Sequence, residues 1–594
     1  MSEYRLPQDE ILFVLSELIG LEAVAELAGL THTTLEDVTS ILDQAGRFAS
    51  ETLAPLNRVG DLEGATLANG EVRTATGFRE AYGEFCSAGW CASAAETTYG
   101  GQGLPRLINT ALYDVWNAAN ISFSLCNTLT DSAIQLLQLH GTEFQRKQFL
   151  PKLVSGEWTG AMAMTEPQAG SDVGALSCRA EPKDDAYRLK GQKIFISWGD
   201  HDLTSNIIYL VLARLPDAPE GSHGISLFVV PKFIPDESGE PGTRNDVRCI
   251  ALEKKLGIHA SPTCVMEFGE KDGAIGWLVG EPNRGLAAMF TMMNTARLAV
   301  GHEGLGIAER AYQQANSYAK ERLQGKNCDG DGIPIIAYPD VRRMLLSMKA
   351  RSEAMRALCY DAALSADLSA HHPDQAVRVL HDDRVALLTP IVKAWCTDGA
   401  VDVTTTNIQI HGGAGYIEET GAAQLLRDAR VTPIYEGTNG IQALDLVRRK
   451  LGGDKGLAMK SLIEEMRQFD AALSATEDGA IVAIRGRFAE AGSALARTTH
   501  TLLGALEDDP ETADAAAVPY LDLAGTVLGG YYMARSALIA ENRISAGDEN
   551  AAFYRSKLAT ALFYAESILP RSAGLALAAT SGAATVSHMQ PEAF

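Results

Sequence analysis

Three short β-branched runs stand between two long stretches of helical pattern, and this change of texture constrains the fold of the 594-residue chain most. The runs are residues 207–213, 225–230 and 263–268, punctuated by glycine and proline as strands of a compact β domain are. No helix-length pattern separates them, which argues against a parallel βαβ sheet. Before them the pattern is helical from residue 9 to 156. Leu12, Leu15 and Ile19, with Ile11 and Leu18, recur at three- and four-residue steps. The stretch 131–153 reads as helices broken at Gly141 and Pro151, and the three glycines of 99–105 mark a loop. After the β runs, long helices are expected over 286–322, 342–368 and 382–409, the last kinked or started at Pro390. Gly452-Gly453 marks a boundary, and the remainder is alanine-rich and helical. The expected class is α+β. A helical domain (1–160) precedes a β-barrel-like domain (161–284), a four-helix bundle (285–452) and an extra C-terminal helical domain (453–594).

A net charge of -24 argues against a nucleic-acid partner, since phosphate binding needs clustered Lys and Arg. The nine cysteines include no C-x-x-C pair, which argues against a zinc site or a disulfide scaffold and fits a reducing compartment. Cys178, Cys264, Cys359 and Cys396 sit among apolar neighbours and read as packed thiols. His371-His372 reads as an exposed loop, and no metal site is expected. The N-terminus carries acidic residues too early for a signal peptide, and 573–583 is too short to span a bilayer. The expected location is cytoplasmic.

Chemistry concentrates in a few motifs. In Ile434-Tyr435-Glu436-Gly437-Thr438-Asn439-Gly440 one carboxylate stands between an aromatic residue and a glycine. It can act as a proton-abstracting base beside a cofactor, although a lone loop glutamate is more often simply solvated. Upstream, Met162-Ala163-Met164-Thr165-Glu166-Pro167-Gln168-Ala169-Gly170-Ser171 combines a proline-restricted residue with small neighbours that let backbone N–H groups approach a ligand. Gly191 to Gly199 reads as a strand offering Phe195 and Ser197, with Trp198 as an alternative aromatic. Asn294-Thr295-Ala296-Arg297 lies on a long helix that ends near Arg322, and Gln409-Ile410-His411-Gly412-Gly413 is a glycine turn after a helix, not a Rossmann fingerprint. His411 reads as structural.

Taken in order over roughly residues 80–449, these motifs resemble those of the acyl-CoA dehydrogenases, FAD enzymes that desaturate acyl thioesters. The resemblance implies that Glu436 removes the α-proton while the β-hydride passes to flavin N5, giving a trans-2-enoyl-CoA. Its backbone N–H, with a ribityl hydroxyl of FAD, would hold the thioester carbonyl. Ala296 stands where some branches carry the base, and it cannot abstract a proton, so Glu436 is the base left in the pattern. Met162, Met164, Thr165, Phe195, Ser197 and Thr438 would contact FAD, and Arg322, Gln409, Gly412 and Gly413 would serve the FAD of a neighbouring subunit. Ser171, Asn294, Arg297 and Gly437 would serve the acyl-CoA. The family usually has tryptophan and threonine where Phe195 and Ser197 stand, so that contact is altered here. Electron-transferring flavoprotein is the implied acceptor and a homodimer the implied assembly. The extra length, the opening 1–7 and the stretch 335–343 resemble the long bacterial branch that includes 3-methylmercaptopropionyl-CoA dehydrogenases of dimethylsulfoniopropionate catabolism. The expected substrate is that thioester or a short- to medium-chain acyl-CoA of fatty acid β-oxidation. An acyl-CoA oxidase using oxygen and a non-catalytic DNA-associated flavoprotein are the alternatives.

Overall fold

The computed structural model describes residues 3–476, 478–586, 589 and 591–593, so Met1 and Ser2 of the N-terminal motif lie outside the described residues. The helical face foreseen at the N-terminus is real: Ile11, Leu15 and Leu18 are buried. A small hairpin, Thr66–Ala68 paired with Glu71–Arg73, interrupts the helices, and its three-residue strands are too short to leave an alternating pattern. Helix α1 (Arg106–His140) is the longest of this region and contains a non-helical residue, Asn120. It stops at Gly141 as expected. Pro151 does not break the next helix, Glu143–Val154, which continues for three residues beyond it.

The β region forms an eight-stranded sheet from β1 (Trp158–Ala163), β2 (Arg179–Lys183), β3 (Ala186–Ser197), β4 (Asn206–Arg214), β5 (Ile225–Pro231), β6 (Val247–Leu252), β7 (Thr263–Phe268) and β8 (Ala274–Val279). The order is β6-β7-β3-β8-β5-β4-β1, with β2 pairing β3 and β4. Its pairs are antiparallel except β1 with β4 and β2 with β4, so the sheet is mixed and carries no βαβ unit.

Three long helices follow: α2 (Gly285–Glu321), α3 (Pro339–His371) and α4 (Gln375–His411), and α2 packs on α1, α3 and α4. Helix α4 begins before the expected residue 382, because the Asp374 side chain caps it by accepting from Ala376 N, and it runs on through Pro390. Glycine brings α2 close to α4: a Cβ at Gly301 would stand 2.4 Å from Val392 Cγ1, and one at Gly304 2.8 Å from Cys396 O. After α5 (Asn439–Leu444) the chain stays helical through Gly452-Gly453 and turns at Lys455-Gly456, both left-handed. The extra C-terminal region includes the long helices α6 (Gly479–Asp508), α7 (Ala517–Ser545) and α8 (Ala551–Phe563), and α7 packs on α3 and α4. Cys178, Cys264, Cys359 and Cys396 are buried, as expected of packed thiols. Among the described residues no helix is long and apolar enough to cross a membrane, and no cluster of potential metal ligands occurs.

Candidate active site

The loop between the helix Ala422–Ala429 and α5 presents Glu436 with φ of 56°, a left-handed conformation that L side chains rarely adopt. The strain is held from two sides. Arg297 Nε donates to Glu436 O at 3.4 Å from α2, and Gln442 Nε2 donates to Glu436 O and Gly437 O at 3.4 Å each from α5. Thr438 caps α5, its Oγ1 accepting from Ile441 N at 3.2 Å. Asn294 Oδ1 accepts from Arg297 Nη1 at 3.4 Å. Glu436, Gly437, Thr438, Asn294 and Arg297 therefore form one cluster.

Within it Glu436 Oε2 is shut off from solvent and has no hydrogen-bond partner among the described residues. Burial raises the carboxyl's pKa, and the charges of Arg297 and Lys393 oppose that rise. A carboxylate so placed is a weakly solvated base held at its rim by two cations.

A second cluster lies on the sheet. Glu166, foreseen as part of a ligand-binding turn, is an organiser of that turn: Lys193 Nζ lies 2.8 Å from its Oε1, and Ser177 N and Oγ and Cys178 N donate to its carboxylate at 2.7–3.0 Å. Lys193 Nζ also donates to Met164 O, and Ile194 N to Thr165 O. With these two carbonyls occupied, the turn has N–H and hydroxyl donors to offer a ligand. Met162 is the penultimate residue of β1, and Ser171 is exposed on the turn that follows it. Phe195 has φ of 59° and is 58% exposed, whereas Trp198 is buried with its Nε1 donating to Ser122 O. Of the two aromatics, Phe195 has the free face, and Ser197 lies two residues beyond it on β3.

The third group is remote from the first. Arg322 is exposed at the end of α2, 25 residues past Arg297, roughly 37 Å along a helix. Gln409, Gly412 and Gly413 stand nearby at the end of α4, because Tyr318 and His411 stack with ring centroids 4.2 Å apart. His411 Nδ1 also bonds Asn407 O at 2.8 Å, a structural role as foreseen. A Cβ at Gly412 or Gly413 would meet nothing, which leaves this backbone open to an outside group.

Two buried side chains against the loop, Glu303 and Lys393, escaped the motif reading, as did the buried His302 next to Glu303 in sequence. Their signal was present as a Gly-His-Glu-Gly string inside the apolar face of α2 and as a lysine inside the run 387–396 of α4. His302 faces a small cavity of about 60 Å³ between α1 and α2 that also touches Tyr113, Asp131, Gln135 and Thr295.

A helical region, a mixed sheet and a helix bundle converging on an unpartnered loop glutamate define an acyl-CoA dehydrogenase, and this chain belongs to that family. Residues 36–157, 161–270 and 283–451 match the N-terminal, middle and C-terminal acyl-CoA dehydrogenase domains, and 462–590 match the acetyl-CoA dehydrogenase C-terminal-like domain. The chain is 45% identical to a 3-methylmercaptopropionyl-CoA dehydrogenase of Ruegeria pomeroyi over 95% of its length and 96% of the relative's. It is 35% identical to a butyryl-CoA dehydrogenase of Syntrophomonas wolfei, covering 98% and 96%. A Bacillus anthracis acyl-CoA dehydrogenase solved with FAD shares the fold with a TM-score of 0.73 at 20% identity, covering 98% and 93%. FAD is the cofactor of this family.

Proposed function

We propose that this protein desaturates a short acyl-CoA thioester at the α,β bond, with Glu436 as the base. The observation that carries the reading is the solvent-excluded, unpartnered Oε2 of Glu436 on a strained loop. Burial makes this carboxylate a stronger base than one in water, and the charges of Arg297 and Lys393 oppose that rise. Its own backbone N–H is the donor proposed for the thioester carbonyl, where negative charge develops as the α-proton leaves.

The residues fit FAD. Phe195 offers an exposed aromatic face, the 164–171 turn offers donors, and the Gly412-Gly413 backbone is open. Met162, Met164, Thr165, Phe195, Ser197 and Thr438 are proposed to hold it, and bound FAD supplies the acceptor for the β-hydride. Arg322, Gln409, Gly412 and Gly413 lie too far from Glu436 to serve the same flavin end in one protomer, so they are proposed to serve the FAD of a second copy in a homodimer. Ser171, Asn294, Arg297 and Gly437 are assigned to the acyl-CoA.

The relatives named for 3-methylmercaptopropionyl-CoA and for butyryl-CoA support a short acyl group. The proposed acceptor is electron-transferring flavoprotein; the oxidase reading is tested by oxygen consumption. The experiment is anaerobic bleaching of the flavin's visible absorbance by a panel of acyl-CoAs. Rapid bleaching by the short substrates, abolished in Glu436→Gln, is expected. A flavin-loaded protein that no acyl-CoA bleaches would overturn the reading.

A further inference from the structure

Directly behind the catalytic loop lies a second carboxyl group. Glu303 stands on α2, six residues past Arg297, and is fully buried. The Tyr435 hydroxyl donates to its Oε2, while Oε1 has no partner among the described residues. Tyr435 is the covalent neighbour of Glu436, so this bond fixes the loop one residue from the base. The charged and titratable groups acting on Glu303 are Tyr435 and Glu436 from the loop and Lys393 from α4, and Arg297 acts in turn on Lys393 and Glu436. Lys393, also fully buried, donates to Asn439 Oδ1 at 2.8 Å, and Asn439 Nδ2 donates to Thr397 Oγ1 at 3.0 Å, which ties the far side of the loop to α4.

Resting on the reading of Glu436 as base, we propose that Glu303 is a positioning residue: it anchors the catalytic loop through Tyr435, and the aim of Glu436 depends on whether Glu303 carries a proton. In its neutral form Glu303 accepts the Tyr435 hydroxyl without placing a second negative charge behind the base. Once ionised it repels Glu436, against the hold that Arg297 and Gln442 keep on the left-handed turn. Two carboxyl groups in one site divide the roles of charged and neutral partner according to their surroundings. The surroundings here assign the neutral role to Glu303: burial and the Glu436 charge push it up to about 8, against the opposing effects of Tyr435 and Lys393. Glu436 has Arg297 and Lys393 to hold its charge.

The test compares Glu303→Gln, Glu303→Ala and Tyr435→Phe in the FAD-loaded enzyme across neutral and alkaline pH. Gln keeps an acceptor for Tyr435 and cannot ionise. It is expected to restore most of the rate that Ala loses and to remove an alkaline fall in kcat centred near 8 in the wild type. Ala and Phe are expected to lower kcat by about 10-fold with KM little changed, as a misaimed base would. A second readout needs no activity. A carboxyl raised in the folded state stabilises the fold below its unfolded pKa, and that stability is lost as pH rises through about 8. The Tm of the wild type should therefore fall with rising pH more than that of Glu303→Gln. Identical kcat profiles and identical Tm-against-pH slopes for wild type and Glu303→Gln would overturn the proposal. So would equal losses in kcat and KM terms in Gln and Ala. Should Glu436→Gln remain active, the base assignment fails, and the Tm comparison still reports on Glu303 alone.

Discussion

Lys557 Nζ, on α8 of the extra C-terminal region, lies 2.7 Å from Glu353 Oε2 on α3, and both side chains are buried. The same ammonium is 2.8 Å from Glu10 and 4.7 Å from the Phe13 ring centroid, so one cation joins the N-terminal helix, the bundle and the C-terminal region. Burial alone would raise the Glu353 carboxyl, but Lys349 and Lys557 hold it at about 2. Removing one partner of a buried pair strands the other, typically at about 3–5 kcal/mol. Lys557→Met should lower stability by the lower part of that range, since Lys349 remains, and Glu353→Gln with Lys557→Met together should cost less than the single change. Urea unfolding of the single and the double variant checks this, and an unchanged single variant would show that apolar packing alone holds the region in place. The sign with pH is also fixed. A depressed carboxyl gives stability above its unfolded pKa, and that stability is lost as pH falls toward about 2.

If Glu436 is the base proposed above, the cations beside it should set the acid limb of the rate profile. Burial raises the carboxyl, while Arg297 and Lys393 pull it down. Lys393→Met should therefore move the ascending limb of kcat/KM to higher pH, and Glu436 would need more alkaline solution to ionise. The variant also loses the bond to Asn439, so kcat should drop as well. A limb that stays in place or moves down would mean that Lys393 does not share the field of the base.

The turn after β1 depends on Glu166. Glu166 is 2% exposed, and although burial would raise it, Lys193 and the Ser177 donors bring it to about 2. Glu166→Ala leaves a buried ammonium without its counter-charge and should cost about 3–5 kcal/mol. Because Lys193 also donates to Met164 O, the loss should extend to FAD retention on gel filtration. Full FAD occupancy in a destabilised variant would separate the turn's folding role from its proposed binding role.

How much of this was readable beforehand follows from what kind of interaction sets each feature. Helix α2 was visible because its period runs uninterrupted by proline, and the β region because its runs are β-branched and short. The start of α4 was missed because a single side-chain bond from Asp374 decides it, and Pro390 misled because the helix continues through it. Glu436 could be singled out by its motif. The left-handed turn that strains it, and Glu303 behind it, could not, since the Arg297 clamp on the turn and the Tyr435 bond to Glu303 each join residues more than 100 positions apart. Trp198 and Phe195 were indistinguishable as aromatics until packing buried one of them.

Gly437 offers the sharpest probe of loop geometry. Its φ is 85°, and a Cβ there would stand 2.7 Å from Gln442 Nε2, the donor that holds the Glu436 and Gly437 carbonyls. Gly437→Ala therefore adds the left-handed penalty of roughly 1–2 kcal/mol and displaces the clamp. Gly440 is the control. A Cβ there meets only Thr438 Oγ1 at 3.8 Å, and it sits in the first turn of α5, where alanine is a better helix former. Gly437→Ala should lose about 10- to 100-fold in kcat with a small fall in Tm, while Gly440→Ala should keep its Tm. Stopped-flow reduction by one short acyl-CoA separates the two outcomes. If Gly437→Ala reacts at the wild-type rate, the clamp from Gln442 does not aim the base, and the strain at Glu436 belongs to the fold rather than to the chemistry.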